Sequence, residues 1–147
     1  MKKILWIIGQ PDSGKSTLAR EIKKYIPSII MDDSYRKNFK YAWNSFEGLM
    51  LQASSARAIC GEGFNVISVA GAPYENWRVK INQYFKTIIF KKHPLPEVYW
   101  VYLTRTKAKI RVKDYEAPIN AIHINNDEVR VEESCRIIIK KVWGVDV

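Results

Sequence analysis

The most constraining feature of the sequence is a glycine-rich loop that lies between an apolar run and a helical segment. Lys3 to Ile8 is a short apolar run typical of a buried strand, and it leads into Gly9–Thr17, whose sequence follows the pattern GxxxxGK[ST]. Apolar residues then recur at helical spacing from Ser16 to Tyr25, and Pro27 ends that pattern. A strand, a tight loop and a helix in this order are the beginning of a crossover in a parallel sheet.

The composition of this loop is that of a phosphate-binding cradle, and we refer to Gly9–Thr17 as the phosphate loop. Gly9 and Gly14 allow successive backbone N–H groups to point into one concavity, and the following helix adds the positive end of its dipole. Lys15 is placed to reach the β- and γ-phosphates of ATP, and the Ser16 hydroxyl to bind Mg²⁺. The loop residues predicted to contact the nucleotide are Gly9, Asp12, Ser13, Gly14, Lys15, Ser16 and Thr17.

The rest of the chain continues the alternation of strands and helices. Further strands are predicted at Ser28–Met31, Asn65–Val69, Val98–Leu103 and Ala121–Ile124. Further helices are predicted at Trp43–Ile59, Tyr74–Phe90 and Val131–Trp143. This alternation predicts an α/β fold, a doubly wound parallel sheet with helices on both faces. No repeat or linker divides the 147 residues, so one domain spanning 1–147 is expected.

Three absences from the sequence narrow the class of nucleotide-binding protein. There is no NKxD-type motif, which a GTPase would use to recognise its base. The strand Val66–Val69 continues into Ala70 and Gly71, and no acid follows it as in a classical ATPase. The chain also has no room for the additional subdomains of a motor protein. These absences favour a small kinase.

Candidate catalytic groups follow the second predicted strand. Asp33 and Arg36 are three residues apart, so a helical turn after the strand would place them on the same side. Carboxyl ends of parallel strands border the ligand crevice of a doubly wound sheet. A carboxylate there can orient a hydroxyl acceptor and accept its proton, and a guanidinium can bind an anionic group of that acceptor. We therefore predict that Asp33 and Arg36 act on the acceptor, with Asp32 as the weaker candidate acid.

Several stretches of the sequence, taken in order, resemble adenylylsulfate (APS) kinase. They are Gly9–Thr17, Met31–Arg36, Ala72–Tyr74 with Arg78, Asp114–Pro118 and Val131–Ser134. The resemblance implies the fold of P-loop kinases, with five parallel strands in the order 2-3-1-4-5. It also implies ATP as donor, Mg²⁺, and transfer of the γ-phosphate to a hydroxyl group.

The resemblance also assigns roles to individual residues. It matches Asp33 and Arg36 to substrate-side positions, and Pro73 and Tyr74, together with Arg78, to the substrate loop. It places Tyr115 and Pro118 close to the nucleotide base. The sequence departs from the family at four points, one of which is a much shorter segment between the second strand and the second helix. Leu49–Leu51 stands where APS kinases have an Asn-Ile-Arg substrate element, Glu75 replaces an arginine after the Pro-Tyr pair, and the long lid is missing after Leu103.

A short basic segment, residues 105–113, takes the place of that lid. Cations occupy its odd positions, namely Arg105, Lys107, Lys109, Arg111 and Lys113. An extended backbone would place all five on one face. Arg105 or Arg111 is then a candidate for stabilising the charge of the transferred phosphate. The same row of cations could instead follow a nucleic-acid backbone, or it could be a solvated edge strand protected by its lysines.

Charge is concentrated around this segment. Between Asn76 and Lys113 there are ten basic residues and one acid, which equals the net charge of +9 of the whole chain. A basic surface of this kind favours an anionic partner.

These observations predict an ATP- and Mg²⁺-dependent phosphotransferase that acts on a small anionic or nucleotide-like alcohol. The alternative is a nucleic-acid kinase that phosphorylates a 5′-hydroxyl or a hydroxymethylated base, with residues 76–113 contacting the polynucleotide. A further alternative is a nucleotide-dependent nucleic-acid-binding protein without catalysis. The apolar run Ile4–Ile8 is too short for a signal peptide or a membrane span, so a cytoplasmic protein is expected. Cys60 and Cys135 are expected to be buried, reduced thiols.

Overall fold

The computed structural model describes residues 2–32, 45–87 and 95–147, and within these ranges five strands alternate with four helices. The strands are β1 (Lys3–Ile8), β2 (Ser28–Met31), β3 (Asn65–Ala70), β4 (Glu97–Thr104) and β5 (Ile122–Asn125). The helices are α1 (Lys15–Lys23), α2 (Phe46–Gly61), α3 (Glu75–Lys86) and α4 (Val131–Trp143).

The five strands form one parallel sheet in the order β2-β3-β1-β4-β5, which confirms the predicted topology. β1 is the central strand, with Ile4 opposite Val66 of β3 on one side and Val98 of β4 on the other. The phosphate loop therefore begins at the middle of the edge formed by the carboxyl ends of the strands. Doubly wound sheets bind their ligands at this edge.

The side chains of β1 alternate between two apolar cores. Leu5 and Ile7 pack with α1 and α4 on one face, whereas Ile4, Trp6 and Ile8 pack with α2 and α3 on the other. All five are fully buried, because a central parallel strand is covered on both faces. The helices therefore cover both faces of the sheet, as predicted. Among the described residues no helix combines the length and the apolar composition needed to cross a bilayer.

Helix ends differ from the prediction where capping and backbone geometry decide them. The helix predicted from Trp43 begins at Phe46, since the Ser45 hydroxyl accepts a 2.9 Å hydrogen bond from the Gly48 N–H as an N-cap. The helix predicted to continue to Phe90 ends at Lys86, because Thr87 has extended backbone angles. The two cysteines are buried free thiols, as predicted.

The basic segment 105–113 is not an extended strand, so the condition under which its five cations would share one face is not met. A turn forms at its start, where the Ala108 N–H donates to the Arg105 carbonyl at 3.1 Å, and β4 ends at Thr104. The alternation of a strand therefore does not hold for the five cations. The segment contacts the phosphate loop instead, through hydrogen bonds described below.

Candidate active site

The two glycines of the phosphate loop occupy positions that no other residue could take without rearrangement. Gly9 has a φ of +155°, and a Cβ there would lie 2.4 Å from the Leu103 carbonyl oxygen. Gly14 has a φ of +97°, and its Cβ would lie 2.4 Å from Nδ2 of Asn126. The backbone can therefore curve tightly only because both residues lack a side chain. A tight turn of this kind, directly before a helix, fits a phosphate group.

Lys15 is buried at the first position of α1, and its ammonium group lies against the start of the loop. Nζ donates to the carbonyl oxygens of Gly9 at 3.0 Å and Gln10 at 2.6 Å. The neighbouring Ser13 is fully buried, and its hydroxyl has no hydrogen-bond partner among the described residues. Ser16 is half-buried and Thr17 exposed on the first turn of α1, which contains no acidic residue. The helix end can therefore favour an anion without competition from a carboxylate.

Two side chains from neighbouring strand ends support the loop from outside. Arg105, directly after β4, donates from Nη1 to the Asp12 carbonyl at 3.1 Å. Asn126, directly after β5, donates from Nδ2 to the Ser13 carbonyl at 3.0 Å. Asp12 has a φ of +63°, unusual for a residue with a side chain. These two hydrogen bonds stabilise the curvature of the loop.

Sequence reasoning offered Arg105 or Arg111 as the residue over the transferred phosphate and did not foresee the contact of Asn126 with the loop. The predicted strand order already held the signal, because β4 and β5 lie next to each other and β4 pairs with β1. The ends of β4 and β5 must therefore lie beside the loop that follows β1.

The turn at the start of the basic segment is fixed by Asp127. Its Oδ2 accepts hydrogen bonds from the N–H of Thr106 at 2.7 Å and from the Thr106 hydroxyl at 2.6 Å. These two bonds, with smaller contributions from the charges of Arg105 and Lys107, lower the pKa of Asp127. The carboxylate therefore stays ionised and holds the turn to the end of β5.

Gln10 connects the far end of the same segment to the phosphate loop. Its Oε1 accepts from the backbone N–H groups of Arg111 and Val112, each at 3.2 Å. Its Nε2 donates to the Val112 carbonyl at 2.6 Å. The side chain thus forms three hydrogen bonds with the main chain more than 100 residues away, which nothing in the local sequence predicted.

On the opposite side of the site, Arg78 is 2% exposed and joins two loops. It donates to the carbonyl oxygens of Ala72 and Glu116 and forms a 2.8 Å ion pair with Glu75. Ala72 has a φ of +44°, a strained conformation for a residue with a Cβ. The guanidinium predicted to bind substrate is thus engaged in holding the loop that carries Pro73, and the structure supports a positioning role for it.

The segment around Tyr115 completes this side. The Tyr115 hydroxyl donates to the Gly71 carbonyl, and its ring stacks on Tyr102 with centroids 5.5 Å apart. Burial raises the pKa of Tyr115 far above its usual range, so the hydroxyl remains a donor. Tyr74 donates to Oδ1 of Asp114 at 3.3 Å. Pro118 is buried, and its carbonyl lies 2.7 Å from Nε2 of His123.

Further hydrogen bonds connect the same two loops. The Glu116 N–H donates to the Pro73 carbonyl at 2.8 Å, and the Glu75 N–H donates to Oε1 of Glu116 at 3.0 Å. The structure thus brings together Pro73, Tyr74, Arg78 and Tyr115, whose nucleotide and substrate contacts stay predictions. Asp33 and Arg36 lie outside the described residues. Asp32, which is described, directly follows β2 at the same edge of the sheet.

No protein-family model and no curated protein matches the sequence. Solved structures match it in fold. Among them are APS kinases and other kinases, so the chain has the fold that P-loop kinases share. The APS kinase of Mycobacterium tuberculosis in complex with AMPPNP and APS has a TM-score of 0.76 and 18% identity, over 95% of this chain and 96% of that one.

Two sugar-related kinases share the same fold. A sugar kinase from a Janibacter species has a TM-score of 0.69 and 14% identity, over 100% of this chain and 99% of that one. A gluconokinase from Sinorhizobium meliloti has a TM-score of 0.58 and 12% identity, over 97% and 96%. At these identities the similarity shows the fold.

Proposed function

We propose that this protein is an ATP-dependent kinase that transfers the γ-phosphate to a hydroxyl acceptor. The observation that carries the proposal is the phosphate loop, whose glycines at Gly9 and Gly14 leave no room for a Cβ at the start of α1. Such a loop binds the phosphates of a nucleotide, and the kinase fold supports transfer. Each similar structure described above is of a kinase, and one of them was solved with the ATP analogue AMPPNP.

The residues of the loop would hold ATP and Mg²⁺ in distinct ways. Backbone N–H groups between Asp12 and Thr17 would bind the phosphates, and the Lys15 ammonium would exchange its present carbonyl partners for phosphate oxygens. The Ser16 hydroxyl would bind Mg²⁺. Bound Mg²⁺-ATP supplies the phosphoryl group and neutralises part of its charge. Arg105 and Asn126 keep the loop in shape.

The acceptor would bind across the cleft from the loop. Asp33 would orient the acceptor hydroxyl and take its proton, and Arg36 would bind an anionic group of the acceptor. Pro73 and Tyr74 would border the acceptor, with Arg78 and Tyr115 holding their loop. The base contact of Tyr115 and Pro118 and the cytoplasmic location stay predictions.

The first candidate acceptor is a small anionic or nucleotide-like alcohol. One similar structure contains APS, and two others are of kinases for sugars or sugar acids, so alcohol acceptors of this size support the proposal. The exposed cations of the basic segment favour a second candidate, a hydroxyl group on DNA or RNA. A nucleotide-dependent binder of nucleic acid without catalysis is the alternative to both.

Transfer of label from γ-labelled ATP tests the proposal. The protein is incubated with APS, with nucleosides, and with oligonucleotides that carry 5′-hydroxyl or hydroxymethyl groups. We expect label on the small nucleotide-like acceptor, and label on oligonucleotides alone would replace it with the second candidate. Absence of transfer together with tight retention of DNA would support the binder.

Asp33→Asn tests the acceptor side of the mechanism, with Asp146→Asn as its control, because Asp146 is an exposed acid that forms a surface ion pair with Lys140. Loss of a positioned general base lowers turnover by about 10²- to 10⁴-fold. We expect this fall in kcat for Asp33→Asn with ATP affinity close to normal. A collapse of ATP affinity instead would show that Asp33 serves the metal ion.

A further inference from the structure

Gln10 is the second residue of the phosphate loop, yet its side chain bonds to a distant part of the chain. The carboxamide accepts from the N–H groups of Arg111 and Val112 and donates to the Val112 carbonyl, at 3.2, 3.2 and 2.6 Å. A fourth hydrogen bond runs beside it, from the Lys109 N–H to the Pro11 carbonyl at 3.2 Å. Val112 is only 6% exposed within a segment whose other residues are mostly exposed.

These hydrogen bonds oppose the mutual repulsion of the cations in the basic segment. Five cations within residues 105–113, without an acid among them, repel one another. A free chain would relieve that repulsion by moving apart. The Gln10 bonds instead fix the main chain at Arg111 next to the loop. The unfavourable free energy of bringing positive charge there is therefore already overcome during folding, before any ligand binds.

The two arginines of the segment are held in different ways. The Arg105 guanidinium donates to the Asp12 carbonyl, so this side chain supports the loop itself. Arg111 is attached through its backbone N–H to Gln10, and its side chain is exposed. We call the three hydrogen bonds of the Gln10 side chain the clamp. The clamp fixes the backbone position of Arg111, from which its exposed side chain extends.

We infer that Gln10 is a positioning residue that sets Arg111 beside the phosphates, while Arg105 serves to support the loop. The inference rests on the proposed function, because it assigns Arg111 to the phosphates of the nucleotide. The inference also means that the basic segment already borders the site before a ligand binds, and that it is not a lid that becomes ordered on binding. Moving it away would break the three Gln10 bonds.

Glutamine suits this role because the contact needs an acceptor for two N–H groups and a donor for one carbonyl. A carboxamide provides both on one rigid plane. A carboxylate provides only the acceptor, and alanine neither. The series Gln10→Glu and Gln10→Ala therefore removes the contact in two steps. Gln83→Ala is the matched control, since Gln83 is exposed on α3.

Hydrogen exchange of single backbone amides, measured by NMR, tests the clamp without nucleotide. In Gln10→Ala we expect the Arg111 and Val112 amides to exchange about 10-fold faster or more, because local opening no longer breaks hydrogen bonds to Gln10. Gln10→Glu is expected to lie between this variant and the wild type, and Gln83→Ala to match the wild type. Unchanged exchange in Gln10→Ala would overturn the inference.

A double-mutant cycle on the binding of a fluorescent ATP analogue tests the link to Arg111. We expect Gln10→Ala and Arg111→Ala each to weaken binding about 10-fold, and the double variant to be no weaker than Arg111→Ala alone. Additive effects would show that Gln10 does not act through Arg111 and would overturn the inference while leaving the kinase proposal intact. If the wild type binds no analogue, the proposed function fails and the role of Arg111 with it, whereas the exchange data still show whether the clamp exists.

Discussion

The phosphate side and the acceptor side of the candidate active site are built in different ways. On the phosphate side, the main chain of Gly9–Thr17 is the proposed binding surface, and it lies within one short stretch of sequence. On the acceptor side, the side chains of Arg78 and Tyr115 join loops that lie 38 and 44 residues away from them along the chain. The phosphate side therefore depends on backbone geometry, and the acceptor side on buried side-chain donors. Mutations should affect activity on the first side and stability on the second.

Lys15→Ala gives the largest expected effect and tests the phosphate side. The ammonium donates to the Gly9 and Gln10 carbonyls of the loop and does not belong to either apolar core, so the fold should survive its removal. Loss of a charge that stabilises the transferred phosphate lowers turnover by about 10³-fold or more. Steady-state kinetics and circular dichroism measure the two parts of this expectation.

Lys23→Ala is the matched control, because Lys23 is exposed in the last turn of the same helix. It should leave both turnover and the spectrum unchanged. Full activity of Lys15→Ala would contradict the assignment of the phosphate loop. Unfolding of Lys15→Ala would remove the contrast between the two sides.

Arg78→Ala is the matching test on the acceptor side. The substitution leaves the Ala72 and Glu116 carbonyls without their buried donor and removes the ion pair with Glu75. We expect the free energy of unfolding to fall by about 3 kcal/mol, measured by urea denaturation. The KM for the acceptor should rise more than the KM for ATP, since the loop carrying Pro73 loses its support.

Arg136→Ala provides the control for this experiment. Arg136 is exposed on α4 and forms a 3.6 Å surface ion pair with Glu133. Its removal should change the free energy of unfolding by less than about 0.5 kcal/mol. If Arg78→Ala raises the acceptor KM without loss of stability, Arg78 touches substrate directly, as the sequence predicted.

Tyr115→Phe should have the smallest effect of the three. It removes the hydrogen bond to the Gly71 carbonyl and keeps the stacked ring, so we expect a loss of about 1 kcal/mol in the free energy of unfolding. Tyr25→Phe is the control, because Tyr25 is half exposed and lies outside the site.

Tyr115→Phe should also change how the free energy of unfolding depends on pH in the alkaline range. Burial raises the pKa of Tyr115 in the folded state, so the stability from its neutral form is complete below the unfolded pKa of about 10 and is lost as pH rises above it. Denaturation between about pH 9 and 11 should therefore show a steeper loss in wild type than in Tyr115→Phe. Equal slopes in the two proteins would show that folding does not raise the pKa of Tyr115.

Three elements were predicted with their full bounds. β1, β2 and α4 have the predicted bounds, since short apolar runs and helical spacing are local properties. The basic segment was not predictable in the same way. Its alternating charges are compatible with a strand. In the structure, however, Asp127 bonds to the turn at its start, and Gln10 bonds to the main chain near its end. Alternation has structural meaning only where neighbouring strands pair with the segment.

The sequence by itself determined the phosphate loop and the parallel sheet, because both follow from residue types at short, fixed spacing. Only the tertiary structure decided what supports the loop and what Arg78 does. Asn126 bonds to a carbonyl 113 residues away, and Gln10 to one 102 residues away. Such contacts depend on which loops meet at the edge of the sheet. The spacing of residues along the chain does not reveal which distant carbonyl a side-chain donor will bind.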